Sequence, residues 1–215
     1  MEIEIMKNKK KSLTQDVYQQ LKDLIIYNKL LPGDIITAGE MAERFNVSKT
    51  PVRDSLNALK HEGLVELLPQ KGFLVSRVDV KDLSDLFQMR IILEGAAAEM
   101  AAKNISAEWL NSLIRLSREC QDNQENTYAF MRINYDFHMT IARGAENQYL
   151  YKFLSIVLNQ LQRVLYSDLI TGDPSDMYRE HQELVQCIQN RDGNNARKAV
   201  ITQIEASRNR IIKAI

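Results

Sequence analysis

The sequence has few of the features that would mark a disulfide-rich, secreted or membrane protein. Only two cysteines occur, Cys120 and Cys187, and they have neither CxxC nor metal-ligand spacing, so two buried, reduced thiols are expected. No apolar run approaches the roughly 18 residues of a membrane span, and the first residues lack the apolar block and cleavage site of a signal peptide. The sequence therefore predicts a cytoplasmic protein that does not enter the membrane.

The sequence also lacks an excess of either charge. Its 28 Lys and Arg residues balance 28 Asp and Glu residues, so overall charge gives no sign of nucleic-acid binding. Local charge is uneven, because Lys7, Lys9, Lys10 and Lys11 cluster near the start. For residues 1–12 the sequence predicts a flexible, solvated basic tail, and the alternative is an arm that contacts phosphates.

Two helices are expected after this tail. Apolar residues recur there at helical spacing, and Ser12 with Gln15 could form a capping box at the first helix start. Residues 31–34, Leu-Pro-Gly-Asp, then turn the chain. A short helix over about 38–45 follows, and Asn46 suits its end because asparagine tolerates the left-handed conformation.

The stretch NVSKTPVRDSL, residues 46–56, begins a third helix. Ser48 or Thr50 would cap this helix, and Pro51 falls in its first turn, where a missing N–H costs nothing. The apolar residues Val52 and Leu56 fall on another face from the polar ones. The helix therefore presents a polar end and an apolar rear.

Beyond Gly63 the pattern changes to period two. Two β-rich runs, 64–68 and 73–78, flank the turn at 69–72. Three helices followed by a β-hairpin predict a winged helix-turn-helix domain over residues 13–78.

From Asp79 onward the sequence shows no convincing strand. A long helix begins within LSDLFQMRIILEGAAAEMAAKN, and turn residues separate it from later helical segments. Residues 79–215 therefore predict an all-α domain, a six-helix bundle by the packing rules for antiparallel neighbours, and the chain as a whole is mainly α. The later helices are expected over about 106–122, 128–143, 148–170, 175–190 and 195–214.

The third helix has the residues that insertion into DNA requires. In a helix-turn-helix the second helix enters the major groove with its N-terminal residues on base edges. Lys49 can donate to guanine O6 or N7, and Arg53 can make bidentate contacts to guanine or phosphate. The alternative is that Ser48 and Thr50 only cap a surface helix. The candidate DNA contacts are Ser48, Lys49, Thr50 and Arg53, with Gln70, Lys71 and Gly72 at the hairpin tip.

Residues 17–78, above all GEMAERFNVSKTPVRDSLNALKHEGLVELLPQKGFLV, resemble the DNA-binding domain of GntR-type bacterial transcription regulators. The resemblance implies DNA contacts by the third helix with help from the wing. Two departures stand out. Lys49 occupies a position where arginine is commoner, and Gly39 occupies one where some members have an arginine, so that contact is missing here.

The later segment resembles the FCD-type effector domain of the FadR subfamily, and six helices rather than seven suggest the VanR-like group. The resemblance implies a homodimer that binds a small-molecule effector. The matching pieces are Arg90-x-x-Leu93-Glu94, Phe137-His138, Gly144-x-x-Asn147, Glu180-His181 with Ile188 and Asp192, and Ala199 leading to Gln203.

Many such domains resemble metal sites with one aspartate and three histidines. This chain keeps His138 and His181 but has Asn134 in the aspartate position and Gln203 in the position of the third histidine. Divalent ions prefer imidazole and carboxylate to amide oxygen, so affinity for Zn²⁺ should be weak or absent. The two histidines could be hydrogen-bonded core residues, ligands of a metal completed by water or effector, or direct contacts of a metal-free ligand.

The candidate effector contacts are Arg90, Asn134, His138, His181 and Gln203, which would line one cavity between helices. Arg90 could pair with an effector carboxylate, although an ion pair with Glu94 at i,i+4 is the favoured role. No cofactor is firmly expected.

The sequence thus predicts a dimeric, ligand-responsive transcription regulator that binds a pseudopalindromic double-stranded DNA operator and is not an enzyme. Its effector is expected to be a small carboxylate or related metabolite. Two alternatives are open: an architectural DNA-binding protein without an effector, and a metal-dependent hydrolase built on His138 and His181.

Overall fold

The computed structural model describes residues 2–123, 125–171 and 174–214, and the chain divides into two compact units after Val78. Unit 1 contains three helices and three short strands, and unit 2 contains six helices in the described ranges. Unit 1 consists of α1 (Glu2–Ile26), β1 (Ile35–Ile36), α2 (Ala38–Phe45), α3 (Lys49–His61), β2 (Val65–Leu68) and β3 (Gly72–Val75). Unit 2 consists of α4 (Val80–Lys103), α5 (Ala107–Asp122), α6 (Thr127–Gly144), α7 (Gln148–Thr171), α8 (Pro174–Gln189) and α9 (Gly193–Ala214).

The first helix is longer than the sequence predicted. α1 begins at Glu2, so the backbone of residues 2–12 is helical where a flexible basic tail was expected, and the predicted start at Ser12 and Gln15 is wrong. The sequence has no proline or glycine before Pro32, and its many Glu, Lys and Met residues favour helix. Nothing in the first 26 residues therefore stops the helix.

Unit 1 has one apolar core between its helices and its sheet. Leu21 of α1 and Val52 and Leu56 of α3 are completely buried, and full burial of such a side chain is worth about 1.5–3 kcal/mol. A polar contact also joins these helices, because the Ser55 hydroxyl donates to the carbonyl oxygens of Pro51, at 2.8 Å, and of Thr14, at 3.0 Å. The rear of α3 is therefore held firmly against α1.

The wing is a three-stranded antiparallel sheet in the order β1-β3-β2. The hairpin of β2 and β3 was predicted, but β1 was not, because two residues are too short to show a period. Ile36 of β1 lies opposite Phe73, and Gly72 has a φ of 120°. A Cβ at Gly72 would overlap the carbonyl oxygen of Ile36, so this strand start requires glycine.

Unit 2 is built around α4, which contacts α6, α7, α8 and α9. Asp79 starts α4 through a capping box with Asp82. The predicted all-α bundle of six helices is confirmed, and its largest buried side chains include Phe87, Phe130 and Phe137. None of the described helices has the length and apolar character needed to cross a membrane.

The two cysteines are both free thiols, as the sequence indicated. Cys120 is buried in α5, and burial with the nearby charge of Glu119 raises its pKa to about 12. Cys187 on α8 is only half-buried, so the prediction of two buried thiols is right for Cys120 alone. Thiolate chemistry is therefore disfavoured at Cys120.

Candidate nucleic-acid interface and buried polar cavity

The N-terminal end of α3 presents a set of polar side chains to solvent. Ser48 occupies the N-cap position with extended backbone (φ −73°, ψ 162°) but makes no side-chain capping hydrogen bond. Lys49, Thr50 and Arg53 follow and are exposed. Because the Ser48 hydroxyl does not cap the helix, it is free to contact a ligand together with the three residues after it.

The turn before α3 has the backbone conformation that the sequence predicted. Asn46 is left-handed (φ 53°, ψ 48°) and ends α2, and the Val47 N–H donates to the Ala42 carbonyl at 3.0 Å. At the other end of α2, Thr37 and Glu40 form a capping box. Both ends of α2 are thus fixed, and α3 leaves the turn in a defined direction.

Lys49 lies close to Gly39, although the two residues belong to different helices. A Cβ placed at Gly39 would lie 3.8 Å from Lys49 Cε and 3.9 Å from its Nζ, which is van der Waals contact. The sequence had treated these positions as two separate departures from the family pattern. In the structure they are neighbours, so the side chain at one limits the space available at the other.

The wing tip is exposed at Gln70 and Lys71. Gln70 has a positive φ of 65°, and the Lys71 N–H donates to the Leu68 carbonyl at 3.1 Å, which closes the turn. Gly72, the third candidate contact here, is half-buried beneath β1. Its side-chain identity is therefore explained by the sheet, and only its backbone could contact DNA.

Unit 2 contains a small cavity between its helices. The space open to the centre of a water molecule is about 20 Å³, which is room for about one water. Four of the five predicted effector contacts line it, and His181 is completely buried beside His138 with 5.6 Å between ring centroids. The lining residues are Arg90, Asn134, His138, Leu165, Met177, Glu180, Gln203, Ser207 and Arg210.

Glu94 joins two of these residues in a buried charged group. Its Oε1 lies 2.6 Å from Arg90 Nε and its Oε2 lies 2.5 Å from His138 Nδ1. Burial alone would raise the pKa of Glu94, but the Arg90 charge and the His138 contact outweigh it and lower the pKa to about 2. Glu94 is therefore ionised at neutral pH, and the i,i+4 pair with Arg90 is present.

His181 lies deeper than His138. Its ring stacks on Phe137 with 4.0 Å between centroids, and burial, followed by repulsion from His138, places its pKa well below 6.5. The imidazole is therefore neutral at physiological pH. Neither ring nitrogen of His181 has a hydrogen-bond partner within the described part of the chain.

The donor set around the cavity does not fit a divalent metal ion. Glu94 orients His138 as a carboxylate often orients a metal-bound histidine. Among the described residues, however, no three His, Cys, Asp or Glu side chains come together in a way that could hold a metal. Asn134 and Gln203 offer neutral amide groups instead, and amide oxygen is a weak partner for Zn²⁺.

Some features of the cavity were missed by the sequence reasoning. Ser207 and Arg210 follow Gln203 at i+4 and i+7 on α9, so helical spacing could have identified them. Glu180 was noted only as the neighbour of His181. The contact between Glu94 and His138 joins residues far apart in the chain, and no local pattern indicates it.

Comparison with known families matches both units. Residues 13–75 match the family described as bacterial regulatory proteins, gntR family, and residues 85–206 match the FCD domain. The HTH-type transcriptional repressor RspR of Escherichia coli K12 is 25% identical over 95% of this chain and 91% of its own length. The galactonate operon transcriptional repressor of the same strain is 25% identical over 87% of this chain and 91% of its own length.

Solved structures share the fold. The structure of E. coli McbR/YncC covers 94% of this chain and 98% of its own with a TM-score of 0.82 at 21% identity. A GntR regulator from Rhodococcus sp. RHA1 covers 95% of this chain and 99% of its own, with a TM-score of 0.77 at 18% identity.

Proposed function

Because this chain belongs to the GntR family of bacterial regulatory proteins and contains an FCD domain, we propose that it binds a pseudopalindromic operator as a homodimer under the control of a small effector. It is a transcription regulator and not an enzyme. The hydrolase alternative is therefore wrong. The finer features of the proposal are the DNA contacts, the dimer and the effector.

One observation carries the DNA-binding proposal. Ser48, Lys49, Thr50 and Arg53 are exposed together at the start of α3, while Val52 behind them is completely buried. A helix fixed from behind, with polar residues at its N-terminal end, suits insertion into the major groove. Gln70 and Lys71 at the wing tip would contact backbone or minor groove, with Gly72 contributing through its backbone.

The homodimer follows from the operator symmetry that we propose. A two-fold dimer presents two α3 helices to two half-sites one helical turn or a multiple apart. Unit 2 leaves apolar side chains exposed on α4 and α7: Met89 is 43% exposed, Ile92 57%, Tyr149 64% and Phe153 53%. These surfaces are the candidates for subunit contact.

The effector proposal rests on the cavity of unit 2. Arg90, Asn134, His138 and Gln203 line it, and His181 supports His138 from behind. A small carboxylate suits the two arginines of the lining, Arg90 and Arg210. Binding would bias the DNA-binding units toward or away from the operator, a coupling typically worth about 1–3 kcal/mol.

Operator selection from a random DNA library, followed by fluorescence anisotropy at fixed salt, tests the DNA contacts. Arg53→Ala should weaken specific binding by at least about tenfold, since one base or phosphate contact is worth about 1–3 kcal/mol. Lys60→Ala is the matched control, because Lys60 is exposed in the last turn of the same helix. Equal effects of the two changes would contradict the docking.

The same selected operator tests effector control. A library of organic acids should contain compounds that raise thermal stability and change operator affinity. If the operator is bound specifically but no compound changes that binding, the protein is an architectural DNA-binding protein instead.

A further inference from the structure

The cavity of unit 2 contains polar atoms that lack hydrogen-bond partners among the described residues. They are His138 Nε2, Gln203 Oε1 and both ring nitrogens of His181. The three side chains are 2%, 6% and 0% exposed. Buried polar atoms are normally paired, so such a group at one place indicates that a bound molecule completes it.

The proton positions decide what that molecule must offer. Glu94 Oε2 lies 2.5 Å from His138 Nδ1, and a carboxylate and a nitrogen lone pair would repel each other at that distance. Nδ1 therefore holds the ring proton, and Nε2 presents a lone pair. Gln203 Oε1 is also an acceptor, so two atoms from the cavity wall require hydrogen-bond donors.

The charges of the lining indicate the rest of the ligand. Arg90 and Arg210 are cationic, and Glu180 is the acidic residue of the same lining. Arg90 is shared with Glu94, which is not part of the lining. A carboxylate is the group that arginine guanidinium binds in planar, bidentate geometry.

The size of the cavity favours a compact ligand. About 20 Å³ is open to the centre of a water molecule. An adjoining void, which shares Arg90, Asn134 and His138, adds about 10 Å³. A hydroxyl fits this space directly, whereas a long acyl chain would require the helices to separate.

We propose that this cavity binds a compact hydroxycarboxylate directly and without a metal ion. Its hydroxyl groups donate to His138 Nε2 and Gln203 Oε1, and its carboxylate lies toward Arg90 and Arg210. The hydroxyls thus replace the metal that the family resemblance implied. The inference rests on the effector-controlled regulator proposed above and names the chemistry of its effector.

Isothermal titration of the full-length protein, dialysed against EDTA and kept in EDTA, tests this inference. The probes are propionate, lactate and glycerate, which have zero, one and two hydroxyl groups on the same three-carbon acid. Affinity should rise by about tenfold or more per added hydroxyl, because the hydroxyl-free acid leaves a buried acceptor unpaired.

Two variants test the assigned acceptor. Gln203→Leu removes Oε1 and should reduce the preference for glycerate over lactate by about tenfold, while propionate binding changes little. Gln186→Leu makes the same change at an exposed glutamine of α8 and should leave all three affinities unchanged. Circular dichroism and thermal melting check that both variants are folded.

Three results would overturn the inference: absence of glycerate binding, equal binding of all three acids, or binding that requires added Zn²⁺. If glycerate binds tightly only after Zn²⁺ is restored, the histidines and amides hold a metal after all. If a hydroxyl-free acid instead releases the protein from its operator, the proposed function stands and this inference alone fails.

Discussion

Replacement of Glu94 by glutamine should destabilise unit 2 by an amount that depends on pH. The pKa of Glu94 is lowered from its ordinary value of 4.5 to about 2, and one pKa unit corresponds to about 1.4 kcal/mol. The ionised carboxylate therefore contributes about 3 kcal/mol at pH 7. Glu94→Gln loses this contribution and leaves Arg90 buried without its charged partner, which agrees with the cost of about 3–5 kcal/mol for breaking buried ion pairs.

The sign of the pH dependence follows from the lowered pKa. Stability from Glu94 is fully present above about pH 4.5, where the unfolded carboxyl is also ionised, and it is lost as pH falls toward 2. The difference in unfolding free energy between wild type and Glu94→Gln should therefore be about 3 kcal/mol at pH 7 and about 2 kcal/mol at pH 3.5.

Urea unfolding followed by tryptophan fluorescence measures this difference. The sequence has one tryptophan, Trp109, and it lies on α5 against Gly144 of α6, so its emission reports unit 2 alone. Asp85→Asn is the matched control on α4, where Asp85 is exposed, and it should change stability little. A Glu94→Gln variant as stable as wild type at pH 7, or a difference that does not narrow in acid, would refute the reasoning.

Other predictions concern glycines, thiols and subunit contact. Gly72→Ala should weaken operator binding and lower unit 1 stability by about 1–3 kcal/mol, measured by anisotropy and denaturation, because a side chain there meets β1 in a strained conformation. Gly144→Ala should shift Trp109 emission and lower the melting temperature, since the new Cβ overlaps the indole ring. Under native conditions Cys187 should react with a thiol reagent well before Cys120, because Cys120 is buried with a raised pKa; similar rates would contradict its burial. Ile92→Glu should shift the sedimentation coefficient from dimer to monomer if the exposed apolar face of α4 contacts the second subunit.

The winged domain was largely readable from local signals. The proline and left-handed asparagine on either side of Ser48, and the switch to period two after Gly63, each reflect a backbone preference that acts over a few residues. The start of α1 and the strand β1 were not readable in this way. The first lacks any stop signal, and the second exists only because Ile36 pairs with Phe73 across the sheet.

The cavity was readable only in part. Asn134 and His138 lie one turn apart on α6, and the sequence identified both. Glu94 lies on α4, and its contact with His138 depends on how α4 and α6 pack. The choice between a metal ligand and a hydrogen-bond acceptor at His138 depended on this contact, which periodicity cannot reveal.

The proximity of Gly39 and Lys49 has a consequence for redesigning operator specificity. A mutant library that introduces arginine at position 39 alone would place its side chain against the Lys49 stem, where Cε is already 3.8 Å from a Cβ at that position. Selection from such a library would therefore recover pairs of changes at 39 and 49 rather than single ones. The two positions form a two-letter word in the recognition code of this protein, and neither letter can be rewritten without the other.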